Sequence, residues 1–137
     1  CDVLVAEKSA RFCFPELRLG IIPGFGGIPR LKRDLGNAVV RDIIFTGRSL
    51  NAKKAQTLGL VSQVVARGEG LNVALRMAEH LQKFDQQARV MAKQFTKHLP
   101  SAELEAEKEL FLELVQRDVV QAALKKFAES TDIRPYV

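Results

Sequence analysis

The segment that constrains this chain most is Pro23-Gly24-Phe25-Gly26-Gly27, where three glycines fall within four residues. Glycine weakens regular elements and lets the backbone approach a neighbour closely, so we predict a tight turn here. Pro23 or Pro29 can occupy the first turn of a helix without losing a needed N–H group. We therefore expect a helix to start from this turn and to continue to about Leu35, where Gly36 can end it.

The residues before the turn have an extended character. Residues 2–7 carry an uninterrupted apolar run and predict a buried strand, and residues 9–14 predict a second short extended piece. Pro15 disfavours helix at the residue before it and sets a turn. Residues 16–22 are then expected to form a loop or a short strand.

Beyond the glycine-rich turn, two asparagines are placed to cap short helices. Asn37 can cap a helix over 38–45, and Asn51 can cap another over 52–58. Residues 60–65 include three valines, which are β-branched, and predict a strand or an extended segment.

The pattern changes to purely helical from residue 70 onward. Apolar residues at helical spacing predict helices over 71–83 and 86–98, and Ser101 can cap a long helix. Glutamates at 103, 105 and 107 lie near the positive end of that helix, and its apolar stripe runs to Phe127. The sequence thus predicts an α/β part over 1–69 and a helical region over 70–137 whose apolar face packs on the core or on another subunit.

Composition argues against several classes of protein. Basic residues are spread along the chain with a net charge of +5, and one tyrosine without tryptophan offers little base stacking, so no nucleic-acid partner is expected. Hydrophobic residues make up 47%, enough for a core, yet no apolar run predicts a membrane span. Two cysteines and two distant histidines predict neither a disulfide framework nor a metal site. We expect a cytoplasmic location, with a mitochondrial one left open because a transit peptide would precede Cys1.

Two features could carry chemistry. Glu16 lies among apolar residues, where desolvation would raise its pKa and suit proton transfer, and the alternative is a surface carboxylate paired with Arg18 or Arg11. The turn offers backbone N–H groups at a helix start, which favour negative charge or a polarised water, and the alternative is a turn needing glycine only for packing. A dinucleotide-binding glycine motif fails because Pro29 stands where its third glycine should be. Cys13 is expected to be a small buried apolar residue.

Taken together, these segments resemble the enoyl-CoA hydratase/isomerase (crotonase) family. The resemblance rests on an ordered series in the correct spacing: CDVLVA at 1–6, ARF at 10–12, FPELRLGIIPGFGG at 14–27, RL at 30–31, TGR at 46–48, Ala52, Ala55 and LGLV at 58–61. It implies a crotonase-like spiral of β-β-α units, followed by a helical region that builds a trimer or a dimer of trimers.

The resemblance also implies roles for individual residues. Glu16 matches an acidic position of the hydratases that acts as general acid/base at the double bond. Gly24 matches a position whose backbone N–H helps to hold the catalytic water, and Pro23 and Phe25 flank it in that substrate and water site.

Further along the chain, the resemblance implies residues that contact the coenzyme A part of the substrate. Phe127 resembles an aromatic residue that lines the coenzyme A site, and Lys126 beside it could meet a coenzyme A phosphate. The implied substrate is an acyl-CoA thioester, so coenzyme A enters as part of the substrate and no separate cofactor is expected.

The resemblance places this chain at the C-terminal part of the family domain. The oxyanion-hole N–H groups, which stabilise the thioester enolate, and the first hydratase glutamate lie in the family before the region that aligns with Cys1. We therefore expect this chain to be inactive alone. Ile28 and Pro29 replace the usual Thr-Gln after the double glycine, beside the pocket.

Three functions follow from the resemblance. The leading prediction is a lyase, an enoyl-CoA hydratase in which Glu16 and a second glutamate outside this chain share the proton work. The alternative enzyme is a double-bond isomerase, in which Glu16 alone moves a proton between carbons. The third is a non-catalytic truncated or split subunit that supplies only the trimer-forming half.

Overall fold

The structure is a computed structural model that describes residues 1–96 and 98–131. The strands of this part are β1 (Val5–Glu7), β2 (Arg11–Phe12), β3 (Leu50–Asn51) and β4 (Gln63–Val65). The helices are α1 (Gly27–Leu35), α2 (Asn37–Thr46), α3 (Ala52–Thr57), α4 (Gly70–Gln82), α5 (Gln86–Thr96), α6 (Ser101–Val115) and α7 (Asp118–Glu129), with a 3₁₀ helix over Glu16–Leu19. None of these helices is both long and apolar enough to cross a bilayer.

The chain divides into two compact units. The first contains Cys1–Ala10 and Asn51–Leu99, and the second contains Arg11–Leu50 and the residues from Pro100 onward. The predicted division into 1–69 and 70–137 concerns regions of the family domain and stays a prediction.

A parallel pair of strands organises the first unit. β1 pairs with β4 in the register Val5 with Gln63, Ala6 with Val64 and Glu7 with Val65. Helix α3 packs on β4 and helix α4 packs on β1. The predicted buried strand over 2–7 is shorter than expected, because regular pairing begins only at Val5 and Val3 remains 39% exposed.

Helices α4 and α5 have their predicted positions, but neither contains a buried residue. Their apolar residues lie largely at the surface, with Leu71 70% exposed and Phe95 95% exposed. The sequence periodicity therefore predicted the two helices correctly. Within this unit, however, their apolar faces remain largely exposed.

The second unit is built from helices around the 3₁₀ turn. Helix α1 packs on α2 and on α6, α6 contacts α7, and α7 contacts the 3₁₀ helix. The core of this unit consists of Ile21, Leu31, Val40, Ile43, Ile44, Leu50 and Val120. As predicted, α1 ends at Leu35 before Gly36. Helix α2 ends at Thr46, one residue beyond the predicted end, before Gly47, whose φ of 58° is left-handed.

The long helix predicted from Ser101, with an apolar stripe running to Phe127, is interrupted. Helix α6 ends at Val115 and α7 starts at Asp118, with an extended backbone at Arg117 (φ −72°, ψ 134°). No glycine or proline marks this break, and the apolar stripe continues across it. The break gives α7 its own first turn. The carboxylate of Asp118 lies in that turn, where it interacts favourably with the positive end of the helix dipole.

The predicted helix caps have different outcomes. Asn51 caps α3 as expected, since its side-chain oxygen accepts a hydrogen bond from the N–H of Lys54 at 2.8 Å. The predictions for Asn37 and Ser101 are wrong, because Gly36 and Pro100 occupy the N-cap positions of α2 and α6 and neither helix has a side-chain cap.

The replacement Asn51→Ala is therefore expected to lower the free energy of unfolding by about 1 kcal/mol, the usual cost of a lost N-cap. Asn37→Ala is the matched control, because Asn37 is also an exposed asparagine at a helix start but makes no cap bond. Urea denaturation of both variants measures the difference. Equal losses for the two variants would contradict this assignment of the caps.

Candidate active site

Glu16 lies in the 3₁₀ helix rather than in the predicted loop or strand. The N–H of Arg18 donates to the carbonyl of Pro15 at 2.9 Å, and the N–H of Gly20 donates to the carbonyl of Leu17 at 3.1 Å. Gly20 ends the turn with a left-handed φ of 78°. Proline at its start and a left-handed glycine at its end favour this tight turn over a strand.

Helix α7 packs against this 3₁₀ turn. A Cβ on Gly20 would lie 3.2 Å from Cγ2 of Val120, so the glycine allows α7 to approach closely. Val120 is fully buried. The position of Glu16 therefore depends on a helix more than a hundred residues later in the sequence.

The carboxyl group of Glu16 is partly buried and incompletely satisfied. Its Oε2 atom is buried and has no hydrogen-bond partner. Burial raises the pKa of Glu16 above the usual glutamate value, a hydrogen bond with its own backbone opposes the rise, and the negative charge of Glu107 adds to it. Arg18, one of the two alternative partners considered from the sequence, directs its Nη2 to the carbonyl of Gly47 at 3.3 Å.

The glycine-rich turn is closely packed against α6. A Cβ on Gly24 would lie 2.2 Å from Cγ of Phe111, which leaves no room for a side chain. Pro23 is buried, whereas Phe25 is 91% exposed and its ring centroid lies 5.8 Å from that of Phe111. Gly26 is the N-cap of α1 and has a left-handed φ of 84°. Both close approach and backbone conformation thus require glycine in this turn.

Glu107 is a residue of this site that the sequence reasoning missed. It was expected to serve the N-terminus of its own helix, but its carboxylate accepts hydrogen bonds from the backbone N–H groups of Gly26 and, at 2.8 Å, of Ile28. The available signal was its place in an apolar stripe between Leu104 and Phe111, where an acidic residue is out of pattern.

A surface cavity of about 320 Å³ lies beside Glu107. Its apolar wall includes Ile22, Ile28 and Pro29, and Lys32 and Glu103, paired at 2.9 Å, also line it. Ile28 and Pro29, the two residues that the resemblance marks as departures, therefore line a cavity next to the start of α1.

Lys126 and Phe127 lie on α7 in the same unit as Glu16. Lys126 is exposed, and Phe127 is 42% exposed. They follow Val120 by about two helical turns, or about 10 Å along the axis of α7. Glu16, Pro23, Gly24 and Phe25 also belong to this unit.

The raised pKa of Glu16 makes a prediction for stability. In the unfolded chain Glu16 ionises at the ordinary glutamate pKa, whereas in the folded chain it ionises at a higher pKa. The folded state therefore loses stability as pH rises from the ordinary pKa through the raised pKa, and the full loss is present above the raised pKa. Glu16→Gln removes this loss. The variant should therefore be more stable than wild type at neutral pH, with a gain that disappears toward about pH 4.

Urea denaturation between about pH 4 and pH 8 measures this gain. Glu113→Gln on the exposed face of α6 is the control, since its difference from wild type should not grow over the same range. A gain for Glu16→Gln that is constant with pH, or a loss at neutral pH, would contradict the environment described for Glu16.

Comparisons with known proteins agree with the fold. The model of the family described as "Enoyl-CoA hydratase/isomerase" matches residues 1–134. The chain therefore belongs to the enoyl-CoA hydratase/isomerase family, within the crotonase superfamily.

Two curated relatives illustrate the similarity. A Rhizobium meliloti (strain 1021) protein named "Probable enoyl-CoA hydratase" is 46% identical over 94 residues, covering 69% of this chain and 37% of that protein. The 2,3-dehydroadipyl-CoA hydratase of Escherichia coli K12 is 38% identical over 115 residues, covering 81% of this chain and 45% of that protein. The chain thus spans less than half the length of these curated relatives.

A solved structure supports the fold directly. Carnitinyl-CoA hydratase from Mycobacterium avium superposes with a TM-score of 0.86 at 27% identity, covering 93% of this chain and 52% of that structure. The α/β, crotonase-like architecture predicted from the sequence is therefore confirmed. The restriction to a C-terminal part and the trimer-forming role of the helices stay predictions.

Proposed function

We propose that this chain supplies the proton-transfer part of an enoyl-CoA hydratase site, in which water adds across the 2,3-double bond of a 2-enoyl-CoA thioester. The observation that carries the proposal is the carboxyl group of Glu16, partly buried with a raised pKa and with one oxygen lacking a partner. Such surroundings favour the protonated form of a carboxyl group and suit a group that takes up and releases a proton in catalysis. Membership of the enoyl-CoA hydratase/isomerase family supports hydration as the reaction that this carboxyl group serves.

In the proposed reaction, the carboxylate of Glu16 and the backbone N–H of Gly24 hold the attacking water. The water oxygen bonds to C3 and its surplus proton passes to a carboxylate, while the double-bond electrons move toward the thioester carbonyl. When the resulting enolate collapses back to the thioester, C2 takes up a proton from a carboxyl group. Glu16 serves as acid or base in these proton transfers. The exposed ring of Phe25 and the buried ring of Pro23 border the same turn.

The rest of the site is proposed to come from residues outside these 137. The negative charge that develops on the thioester oxygen requires preorganised N–H donors, and the hydratase reaction shares its proton work with a second carboxyl group. The short span of this chain on its relatives supports that division. Within the chain, Lys126 and Phe127 are proposed to meet the coenzyme A moiety, and the exposed apolar faces of α4 and α5 are consistent with assembly as a trimer.

An isomerase is the second candidate function. Both carboxylate oxygens of Glu107 already accept backbone N–H groups, which leaves Glu16 as the acidic group with a buried oxygen lacking a partner in this part of the chain. A double-bond isomerase needs only one such group, because the proton removed at one carbon returns at another.

The test is an assay of the natural polypeptide that carries these residues, with a short trans-2-enoyl-CoA and with the corresponding 3-enoyl-CoA. Formation of 3-hydroxyacyl-CoA from the first substrate supports the hydratase. Conversion of the second without hydration supports the isomerase. A protein that neither binds nor converts either thioester would overturn both and leave the non-catalytic subunit.

A further inference from the structure

Among the described residues, Glu107 stands out as a charged side chain that is buried. It is 5% exposed, although it lies in the middle of α6 with exposed glutamates on either side at 105 and 109. A buried carboxylate is costly unless its oxygens are hydrogen-bonded. Both oxygens of Glu107 are hydrogen-bonded, and both partners belong to the start of α1.

The two partners are groups that the helix itself cannot satisfy. The N–H groups in the first turn of a helix have no intrahelical acceptor, and Gly26 at the N-cap has no side chain to offer one. One carboxylate oxygen accepts from Gly26 and the other accepts from Ile28 at 2.8 Å. Because a charged acceptor strengthens both bonds, Glu107 fixes the position and orientation of this turn relative to α6.

A second charged side chain, that of Arg30, binds the carbonyl groups of the same turn. Nη1 of Arg30 donates to the carbonyl of Phe25 at 3.0 Å and to the carbonyl of Gly26 at 2.9 Å. The backbone immediately after Gly24 is therefore held through its N–H groups by Glu107 and through its carbonyls by Arg30. The nearby Lys32 and Glu103 neutralise each other in an ion pair of 2.9 Å.

Glu107 also acts on the candidate catalytic carboxyl. Its charge opposes ionisation of Glu16, in the same direction as burial. A single side chain on α6 thus contacts the turn that contains Gly24 and influences Glu16 on the 3₁₀ helix.

We propose that Glu107 is a positioning residue of the active site, which orients the N–H of Gly24 toward the reacting water without touching the substrate. This inference rests on the proposed proton-transfer function. It predicts that loss of the Glu107 carboxylate lowers kcat more than it changes KM, because the ground-state thioester does not depend on the orientation of that N–H group.

The first variant for the test is Glu107→Gln in the natural polypeptide that carries these residues. Its amide oxygen can accept from one N–H group, but its NH₂ group faces the other. We expect kcat for 2-enoyl-CoA to fall by about tenfold to 100-fold, as for a lost hydrogen bond to a charged group, with KM little changed. The limb of the pH–rate profile that reports Glu16 should move to lower pH, because one source of repulsion is gone.

Two further variants complete the comparison. Glu107→Asp keeps the charge on a shorter side chain, so it should recover part of kcat and leave the pH limb close to its wild-type position. Glu105→Gln is the matched control, because Glu105 is exposed on the same helix and pairs with Lys108 of that helix at 2.7 Å. It should match wild type in kcat, KM and pH profile.

The outcomes separate this inference from the proposed function. Inactive wild-type protein would overturn the proposed function and the positioning role of Glu107 together. Active wild type with unchanged kcat and an unmoved pH limb in Glu107→Gln would overturn only the role of Glu107. If Glu107→Gln fails to fold, Glu107→Asp decides, since wild-type kcat in that variant would also contradict the inference. Amide hydrogen exchange at Gly26 and Ile28 should be slow in wild type and faster in Glu107→Asp.

Discussion

Glu16→Gln is expected to lower kcat for hydration of a 2-enoyl-CoA by about 100-fold to 10,000-fold, the usual contribution of a positioned general acid–base group. Glutamine preserves the size of the side chain, but its amide is neither basic enough to take a proton from water nor acidic enough to deliver one to carbon. The dissociation constant for the acyl-CoA should stay close to wild type, because Glu16 contributes to proton transfer rather than to the bulk of thioester binding. Steady-state kinetics and calorimetric titration measure the two quantities.

The control for this result is Glu113→Gln, an equivalent change at an exposed position of the same unit. It should leave both kcat and affinity unchanged. A Glu16→Gln variant with wild-type kcat would contradict the assignment of Glu16. A loss of binding in parallel with kcat would instead indicate that Glu16 maintains the structure of the pocket.

The second large effect is expected for Gly24→Ala. The new Cβ would lie 2.2 Å from Cγ of Phe111, so the turn or α6 must move. Overpacking of this kind costs about 1–3 kcal/mol of unfolding free energy. A shift of the turn also misplaces the N–H of Gly24, and a displacement near 1 Å can lower kcat/KM by about 100-fold.

Phe111→Ala tests whether this clash is the cause. Gly24→Ala combined with Phe111→Ala should cost less stability than the sum of the two single changes, because the ring that the new methyl group meets has been removed. Urea denaturation of the four proteins gives the coupling free energy. Strict additivity would contradict the close approach of α6 to the turn.

The parts of the fold that could be predicted from the sequence depend on local signals. Gly36 ends α1 and Asn51 caps α3 because these residue types satisfy backbone groups within a few residues of themselves. The helices α4 and α5 follow from the spacing of their apolar residues. Such signals do not require knowledge of which other element lies nearby.

The parts that could not be predicted depend on partners distant in the sequence. Gly26 and Glu107 are separated by 81 positions, so nothing in either local pattern indicates that one accepts a hydrogen bond from the other. The break between α6 and α7 likewise lacks a helix-breaking residue and accompanies the burial of Val120 against the turn at Gly20. In both cases tertiary packing determines the structure.

The role of Glu16 could be predicted only in part from its neighbours in the sequence. Its apolar neighbours in the sequence allowed both a reactive carboxyl group and a surface ion pair with Arg18 or Arg11, and local reasoning left the two open. The 3₁₀ turn buries one carboxyl oxygen without a partner and directs Arg18 to Gly47. This geometry favours the reactive interpretation, which the family resemblance had also implied.

The most direct test of the central claim follows the proton itself. A short trans-2-enoyl-CoA is incubated in deuterated water with the natural polypeptide that carries these residues, or with its Glu16→Gln variant, and the 3-hydroxyacyl-CoA product is analysed by mass spectrometry after return to ordinary water. The account predicts carbon-bound deuterium at C2 of the product with wild type and almost no product with the variant in the same time. Labelled product formed by Glu16→Gln at the wild-type rate would contradict it.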